Sequence, residues 1–352
     1  MWKGEATYQF TEFDQWVNSQ DMRQVREDLH HGVKINQCSR CWNDESVGKK
    51  SLRQIYNVEF SKNFDFSLID TDNWEVTDSI CTFDFKLGNL CNLKCVMCHG
   101  NSSSQIMSEF KQHRSKFETL EMFRVPNTTV SFDWPITTEF QDFLQRFKNQ
   151  IKWIKFTGGE PTVIPYVAEI LETIPNPESV TVNLTTNGTK INNRLLDTLK
   201  KFKAIWLNVS LEGIGQDNDV IRYPSIWSEI ESTIIDLSQL PNTYFSISHV
   251  LQCFSVKTLI PLLKWCDIHN LKMQLILLVD PAYLNINSID TKTIQKFADE
   301  LHQTTLTTNQ SIVKQVLEVL KDHKYDPILH QQRTKYLTIL DNIRNTNLCS
   351  LV

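Results

Sequence analysis

The chain has 352 residues and is 41% hydrophobic, enough for one large α/β domain with a small appendage. Its 36 basic and 41 acidic residues leave a net charge of −5, which argues against a broad nucleic-acid footprint, so no DNA partner is expected. The longest apolar run, Leu275 to Val279, is too short to span a bilayer, and Met1 to Glu5 begins no signal-peptide pattern. The expected setting is therefore cytoplasmic and off the membrane, where the nine cysteines serve as metal ligands, redox groups or core residues rather than disulfides.

Residues 1–57 read as charged and mostly helical, with a Cys38-Ser-Arg-Cys41 pair. From about Ile80 short strand-like runs alternate with amphipathic helical segments, the pattern of βα units. The strand candidates are Ile80 to Lys86, Ile151 to Thr157, Val180 to Asn187, Ile205 to Glu212 and Tyr244 to Leu251, with Met273 and its Leu and Ile neighbours as further strand core. Their side chains alternate. Ile205, Leu207, Val209 and Leu211 share one face against Trp206, Asn208, Ser210 and Glu212, and the other runs split likewise. A doubly wound sheet covered on both sides would read as continuous apolar runs. Here helices follow nearly every strand while one face stays polar. That combination predicts a barrel or partial barrel, with helices outside and a polar interior, against the alternative of a mixed sheet with one solvated face. The intervening helices carry plain apolar stripes, which place Cys266 in the core, and Cys81 falls on the helix-facing side of its strand. Residues 289–304, 309–322 and 327–346 read as further helices. The expected division is an N-terminal module over 1–77, a barrel over 78–288 and a helical C-terminal extension over 289–352.

Each polar motif follows a strand, at the barrel end where active sites are built. Cys91-Asn-Leu-Lys-Cys95-Val-Met-Cys98 follows the first strand and Gly158-Gly159-Glu160-Pro161 the second. Thr185-Thr186-Asn187-Gly188-Thr189 follows the third, and Ser210-Leu211-Glu212-Gly213 the fourth, with Arg222 nine residues beyond Gly213. Three closely spaced thiolates leave one iron of a [4Fe–4S] cluster open, since such a cluster takes four cysteines when fully ligated.

In this order and spacing the motifs resemble the radical S-adenosylmethionine (radical SAM) superfamily over roughly residues 78–280, which implies an α/β fold with a partial (β/α)6 TIM-like barrel. The Thr-Asn-Gly-Thr, Ser-Leu-Glu-Gly and Ile221-Arg222-Tyr223 elements are similar to the subset with SPASM or twitch auxiliary domains. The resemblance implies that Cys91, Cys95 and Cys98 hold a [4Fe–4S] cluster whose fourth iron is chelated by S-adenosylmethionine (SAM). It assigns cofactor contacts to Met97 near adenine, to Gly158, Gly159, Glu160 and Pro161, and to Asn187, Ser210, Glu212 and Arg222. Glu160 would meet the SAM ammonium and Arg222 its carboxylate, for which a guanidinium fork is suited. Asp84, Lys86, Lys155, Asn183, Asn208 and Gln274 face the interior as candidate substrate contacts. The implied activity is hydrogen abstraction from a peptide or protein substrate, with a small molecule or sugar as runner-up. The implied electron donor is a flavodoxin or ferredoxin. Two other readings stay open: a non-catalytic Fe–S and SAM-binding redox sensor, and a zinc site of three cysteines with His99.

The stretch Gln37-Cys38-Ser-Arg-Cys41-Trp42, with Glu45, Gly48, Ser51 and Arg53, resembles the end of an N-terminal twitch domain. There the resemblance implies an auxiliary Fe–S cluster. Cys38 and Cys41 are two ligands where such a cluster needs more, with Cys349 a remote candidate, so either the pair recruits others or the module is structural.

Overall fold

The computed structural model describes residues 12–46, 50–61, 67, 69–76, 80–120 and 133–352. Gly48 and Met1 to Glu5, read above from the sequence, lie outside these residues. The chain divides into two compact units, one of Met1–Phe83 with Asp133–Trp153 and one of Asp84–Phe132 with Ile154–Val352.

In the smaller unit the expected helices form at Phe13–Val17, Gln20–His30, Ser39–Ser46 and Leu52–Phe60, joined by Thr138–Phe147. Ser51 and Gln54 make a capping box that starts the Leu52–Phe60 helix. The Thr138–Phe147 helix buries Phe140, Phe143, Leu144 and Phe147 along one stripe. A two-residue antiparallel ladder pairs β1 (Ile69–Asp70) with β2 (Glu75–Val76). Arg26 ties this ladder to the helices by donating to the Trp74 carbonyl at 2.7 Å and the Val17 carbonyl at 2.9 Å.

The main sheet has six parallel strands in sequential order: β3 (Thr82–Lys86), β4 (Trp153–Thr157), β5 (Thr181–Thr186), β6 (Ala204–Ser210), β7 (Thr243–Leu251) and β8 (Met273–Leu277). The alternation read from the sequence sets its faces. In β6, Ile205, Leu207 and Val209 are fully buried, while Trp206, Asn208 and Ser210 are half-buried on the other face. Burying each such Ile, Leu or Val side chain contributes roughly 1.5–3 kcal/mol. Register places Asn208 opposite both Thr185 and Ser246, and Ser248 opposite both Ser210 and Gln274, so the polar face is continuous across four strands.

Helices Thr291–Gln303, Gln310–Lys321 and Pro327–Arg344 match the three C-terminal segments expected. They do not form a separate unit. Leu301, Val316, Leu337 and Leu340 share one buried cluster with Val209 of β6 and Ile247 of β7, which draws the extension into the larger unit. The smaller unit in turn takes in residues 133–153, which the expected three-part division had placed within the barrel. Cys266 is buried as expected, whereas Cys81 is half-buried, one residue ahead of β3. Ile276 and Leu277, expected in the core, are exposed because β8 is the last strand of the sheet. Among the described residues no helix is long and apolar enough to cross a membrane.

Candidate cluster and cofactor site

The loop from Cys91 to Cys98 is shaped by the helix that follows it. Ser103 caps Ser104–Gln112 by accepting from the Ile106 N–H, and its hydroxyl donates back to the Leu93 carbonyl at 2.7 Å. Cys98 N–H donates to the Cys95 carbonyl at 3.0 Å, which closes a turn between the last two cysteines. Cys91 and Cys95 are buried with Leu93, and Met97 and half-buried Cys98 pack against them. Burial pushes all three thiols up, Cys91 to about 11 and Cys98 to about 12. The Arg222 guanidinium acts the other way on each of them.

The other motif loops are bonded to this one in a closed ring. Glu160 N–H donates to the Leu90 carbonyl at 2.8 Å. Gly158 and Gly159 adopt φ of +81° and +49°, and a β-carbon on Gly159 would lie 2.3 Å from the Leu90 oxygen, so only glycine fits there. The Glu160 carboxylate accepts from Thr162 at one oxygen and from the Asn187 N–H, at 2.6 Å, at the other. Burial raises its pKa, against which these hydrogen bonds work. Asn187 Nδ2 then donates to Asn92 Oδ1 at 2.8 Å, returning to the cysteine loop. Lys94 and Val96 N–H groups donate to the carbonyls of Tyr223 and Ile221, at 2.6 and 2.9 Å, on either side of Arg222.

Arg222 and Glu212 form a buried pair, Nη1 to Oε1 at 3.2 Å. Oε2 of Glu212 accepts from Gln252 Nε2 at 3.1 Å and from the Val250 N–H at 3.3 Å. Burial raises Glu212 to about 7, with Arg222 the main opposing influence. His249 is lowered to about 4 by burial and is neutral. Its Nδ1 faces the Leu211 carbonyl at 3.0 Å and so carries the proton, leaving Nε2 to accept from Ser255 Oγ at 2.9 Å. Glu212, read from sequence as a cofactor contact, thus spends its carboxylate on Arg222, Gln252 and the β7 backbone.

The remaining sequence-derived residues are spread over several elements. Met97 and Ser210 are half-buried and Pro161 is buried. On the polar sheet face Asp84 pairs with Lys155 Nζ at 3.0 Å and accepts from Thr157 Oγ1 at 3.0 Å. Asn208 Oδ1 accepts from Ser246 Oγ at 2.6 Å and from Gln274 Nε2 at 3.3 Å. Lys86 is exposed, and Asn183 keeps its buried Oδ1 without a hydrogen-bond partner among the described residues. Cys38 and Cys41 belong to the other unit and are both half-buried. Sequence reasoning missed Asn92, Gln252, Tyr336 and Arg344. Asn92 lies inside the cysteine motif itself, and Gln252 directly follows the last residue of β7, which are the signals they left.

The Radical SAM superfamily model matches residues 85–247, which hold the cysteine loop, both glycines and the Asn187, Glu212 and Arg222 segments. Residues 85–247 are a radical SAM domain. An uncharacterized protein of Methanocaldococcus jannaschii is 27% identical over 141 residues, covering 39% of this chain and 40% of that protein. A protein of the same organism named "Probable GTP 3',8-cyclase" is 25% identical over 184 residues, covering 51% and 52% respectively. The chain therefore spans about half or less of the length of these curated relatives. The crystal structure of Streptococcus suis SuiB bound to precursor peptide SuiA aligns with a TM-score of 0.42 and 15% identity, covering 78% of this chain and 61% of that one.

The residues present fit the cofactors of this superfamily, a [4Fe–4S] cluster and SAM. Soft thiolates are the ligands such clusters take, and coordination deprotonates a thiol that burial otherwise keeps neutral. Among the described residues no three His, Cys, Asp or Glu side chains are grouped to hold a single ion. A cluster asks for thiolates on separate irons. Beside the loop, Arg222 keeps a buried Nε with no partner among the described residues, a donor of the kind a ligand carboxylate accepts from.

Proposed function

We propose that the chain is a radical SAM enzyme that abstracts a hydrogen atom from a peptide or protein substrate. The reading is carried by the hydrogen-bonded ring that joins the cysteine loop to Glu160, Asn187 and the Arg222 segment. Three thiols, a glycine-walled backbone and a guanidinium with an unused donor are held together there. When bound, the cluster and SAM supply one-electron cleavage of a SAM carbon–sulfur bond, giving methionine and a 5′-deoxyadenosyl radical.

The chain's own residues supply the setting. Cys91, Cys95 and Cys98 would hold three irons, and the Arg222 fork would take the methionyl carboxylate with the donors that Glu212 does not occupy. Gly158 and Gly159 allow the backbone to approach the ligand closely. Glu160 keeps its place through Thr162 and Asn187, and its buried carboxylate would set a negative charge beside the ammonium. The buried Cys91–Cys95 side excludes water, and the polar sheet face of Asp84, Lys155, Asn208 and Gln274 offers substrate the amide and charged partners that a peptide backbone and side chains pair with.

The test is anaerobic reconstitution with iron and sulfide, then dithionite and SAM. Wild type should hold about four irons per chain and form 5′-deoxyadenosine, and Cys95→Ala should do neither. Equal 5′-deoxyadenosine from both proteins would sink the assignment. Transfer of deuterium into 5′-deoxyadenosine from labelled peptides, but not from labelled small molecules or sugars, is the expected result for the substrate class. The reverse pattern would replace it.

A further inference from the structure

The cysteine loop is also held from a part of the chain that the radical SAM match does not reach. Val96 lies between Cys95 and Met97. Its N–H donates to the Ile221 carbonyl at 2.9 Å, inside the matched domain, and its own carbonyl accepts from the Tyr336 hydroxyl at 3.1 Å, 240 residues away. Tyr336 is buried, and its ring stacks edge-on with Tyr283 at 5.0 Å. Burial raises its pKa, so the hydroxyl keeps the proton it donates.

Two turns along the same helix, Arg344 donates to Glu109 through Nη2 at 2.6 Å and Nε at 3.2 Å, both partners being buried. Glu109 also takes Lys94 Nζ at 3.3 Å, and Lys94 sits between Cys91 and Cys95. The Arg344 guanidinium lies 5.5 Å from the centre of the Tyr223 ring, whose backbone carbonyl accepts the Lys94 N–H.

We propose that the C-terminal helix Pro327–Arg344 is a structural part of the cluster site, with Tyr336 and Arg344 as positioning residues for the Cys91–Cys98 loop. The proposal rests on the cluster reading above. Its physical basis is the rigidity of the peptide group. With the N–H and the carbonyl of Val96 both engaged, the two peptide planes between Cys95 and Met97 have no freedom to rotate. The Cys95–Cys98 turn is then fixed on both sides, by the barrel through Ile221 and by the C-terminal helix through Tyr336. Arg344 does the same for the first half of the loop by way of Glu109 and Lys94. Backbone orientation decides which N–H groups reach the sulfurs, and hydrogen bonds to the sulfurs are one of the levers that set a cluster's reduction potential.

Tyr336→Phe tests this, because it removes one oxygen and keeps the packing. In the metal-free chain, amide hydrogen exchange over residues 94–98 should rise about fivefold, the ratio that corresponds to losing one ordinary hydrogen bond. In the reconstituted protein iron content should stay at the wild-type value, while loss of iron to a chelator quickens by a similar factor and the midpoint potential moves. Thr334→Ala, on the exposed side of the same helix, should match wild type in each measurement. A merely structural tyrosine would lower the denaturant midpoint and leave exchange at 94–98, chelation rate and potential at wild-type values; that result overturns the proposal. If wild type takes up no cluster while exchange still rises in the variant, the positioning stands and the cluster reading falls.

Discussion

The two cysteine groups of this chain are built differently. Cys91, Cys95 and Cys98 lie in a loop tied to three other motif segments, through its backbone, the adjoining Leu90 carbonyl and the Asn92 side chain, and to the C-terminal helix. Cys38 and Cys41 flank the start of a short helix held by neighbours close in sequence. Arg53 packs 4.5 Å over the Trp42 ring and forms a two-point contact with Glu45, which also accepts from Ser51. The first group is fixed by residues up to 240 positions away, the second by residues within about twenty. Long-range fixation is what a site for an open-iron cluster needs, since the sulfurs must keep their spacing before the ligand arrives.

The contrast is broken most completely by Cys95→Ala, which should take iron content from about four per chain to near none. Next is Arg344→Met. It leaves Glu109 buried with only Lys94, whose side chain is partly exposed. With Lys94 still in place the loss should fall below the roughly 3–5 kcal/mol of a fully stranded buried charge, read as a fall in the urea midpoint at constant slope. Arg344→Lys should recover part of the loss, because one point charge replaces a fork.

A smaller effect is expected from Glu212→Gln, and it has a definite sign. Glu212 is raised from 4.5 to about 7, so its contribution to stability is present below pH 4.5 and lost as pH rises through about 7. His249 is lowered from 6.5 to about 4, so its contribution is present above pH 6.5 and lost as pH falls through about 4. In the native chain the two oppose one another between pH 4.5 and 6.5. Glu212→Gln removes the falling part and leaves the rising one. The slope of unfolding free energy against pH over that window should therefore become more positive than in wild type. An unchanged slope would mean that Glu212 already titrates in the ordinary carboxylate range.

Much of this architecture was legible in the sequence because it follows from local periodicity. Ile205, Leu207 and Val209 alternate with Trp206, Asn208 and Ser210, and that alone assigns the faces of β6. The cysteine, glycine and Asn187 motifs could be placed on their loops for the same reason. What the sequence did not reveal is pairing between distant polar residues. Glu212 reads as a ligand contact because it stands in a motif, yet Gln252 and Arg222 claim its oxygens. Tyr336 and Arg344 left one trace, two polar residues on a helix stripe with Leu337 and Leu340, which marks a buried face but not what it meets. The exposure of Ile276 and Leu277 was hidden similarly, because strand order and not composition decides which strand lacks a neighbour.

The smallest effect expected is that of Cys38→Ala/Cys41→Ala. Burial, with Cys41 as the next influence, raises the Cys38 thiol above its ordinary value, so it is neutral and poorly nucleophilic at pH 7. Two thiols do not make the ligand set of a [4Fe–4S] cluster, and among the described residues no further Cys, His, Asp or Glu is grouped with them as a metal site. The Glu45–Arg53–Trp42 arrangement that holds their helix uses neither sulfur. The double variant should therefore keep about four irons per chain and the wild-type yield of 5′-deoxyadenosine, with a stability change within about 0.5 kcal/mol. A wild type holding about eight irons, falling to about four in the variant, would instead make the pair ligands of a second cluster. That outcome would require additional ligands from elsewhere, and it would remove the difference between the two cysteine groups altogether.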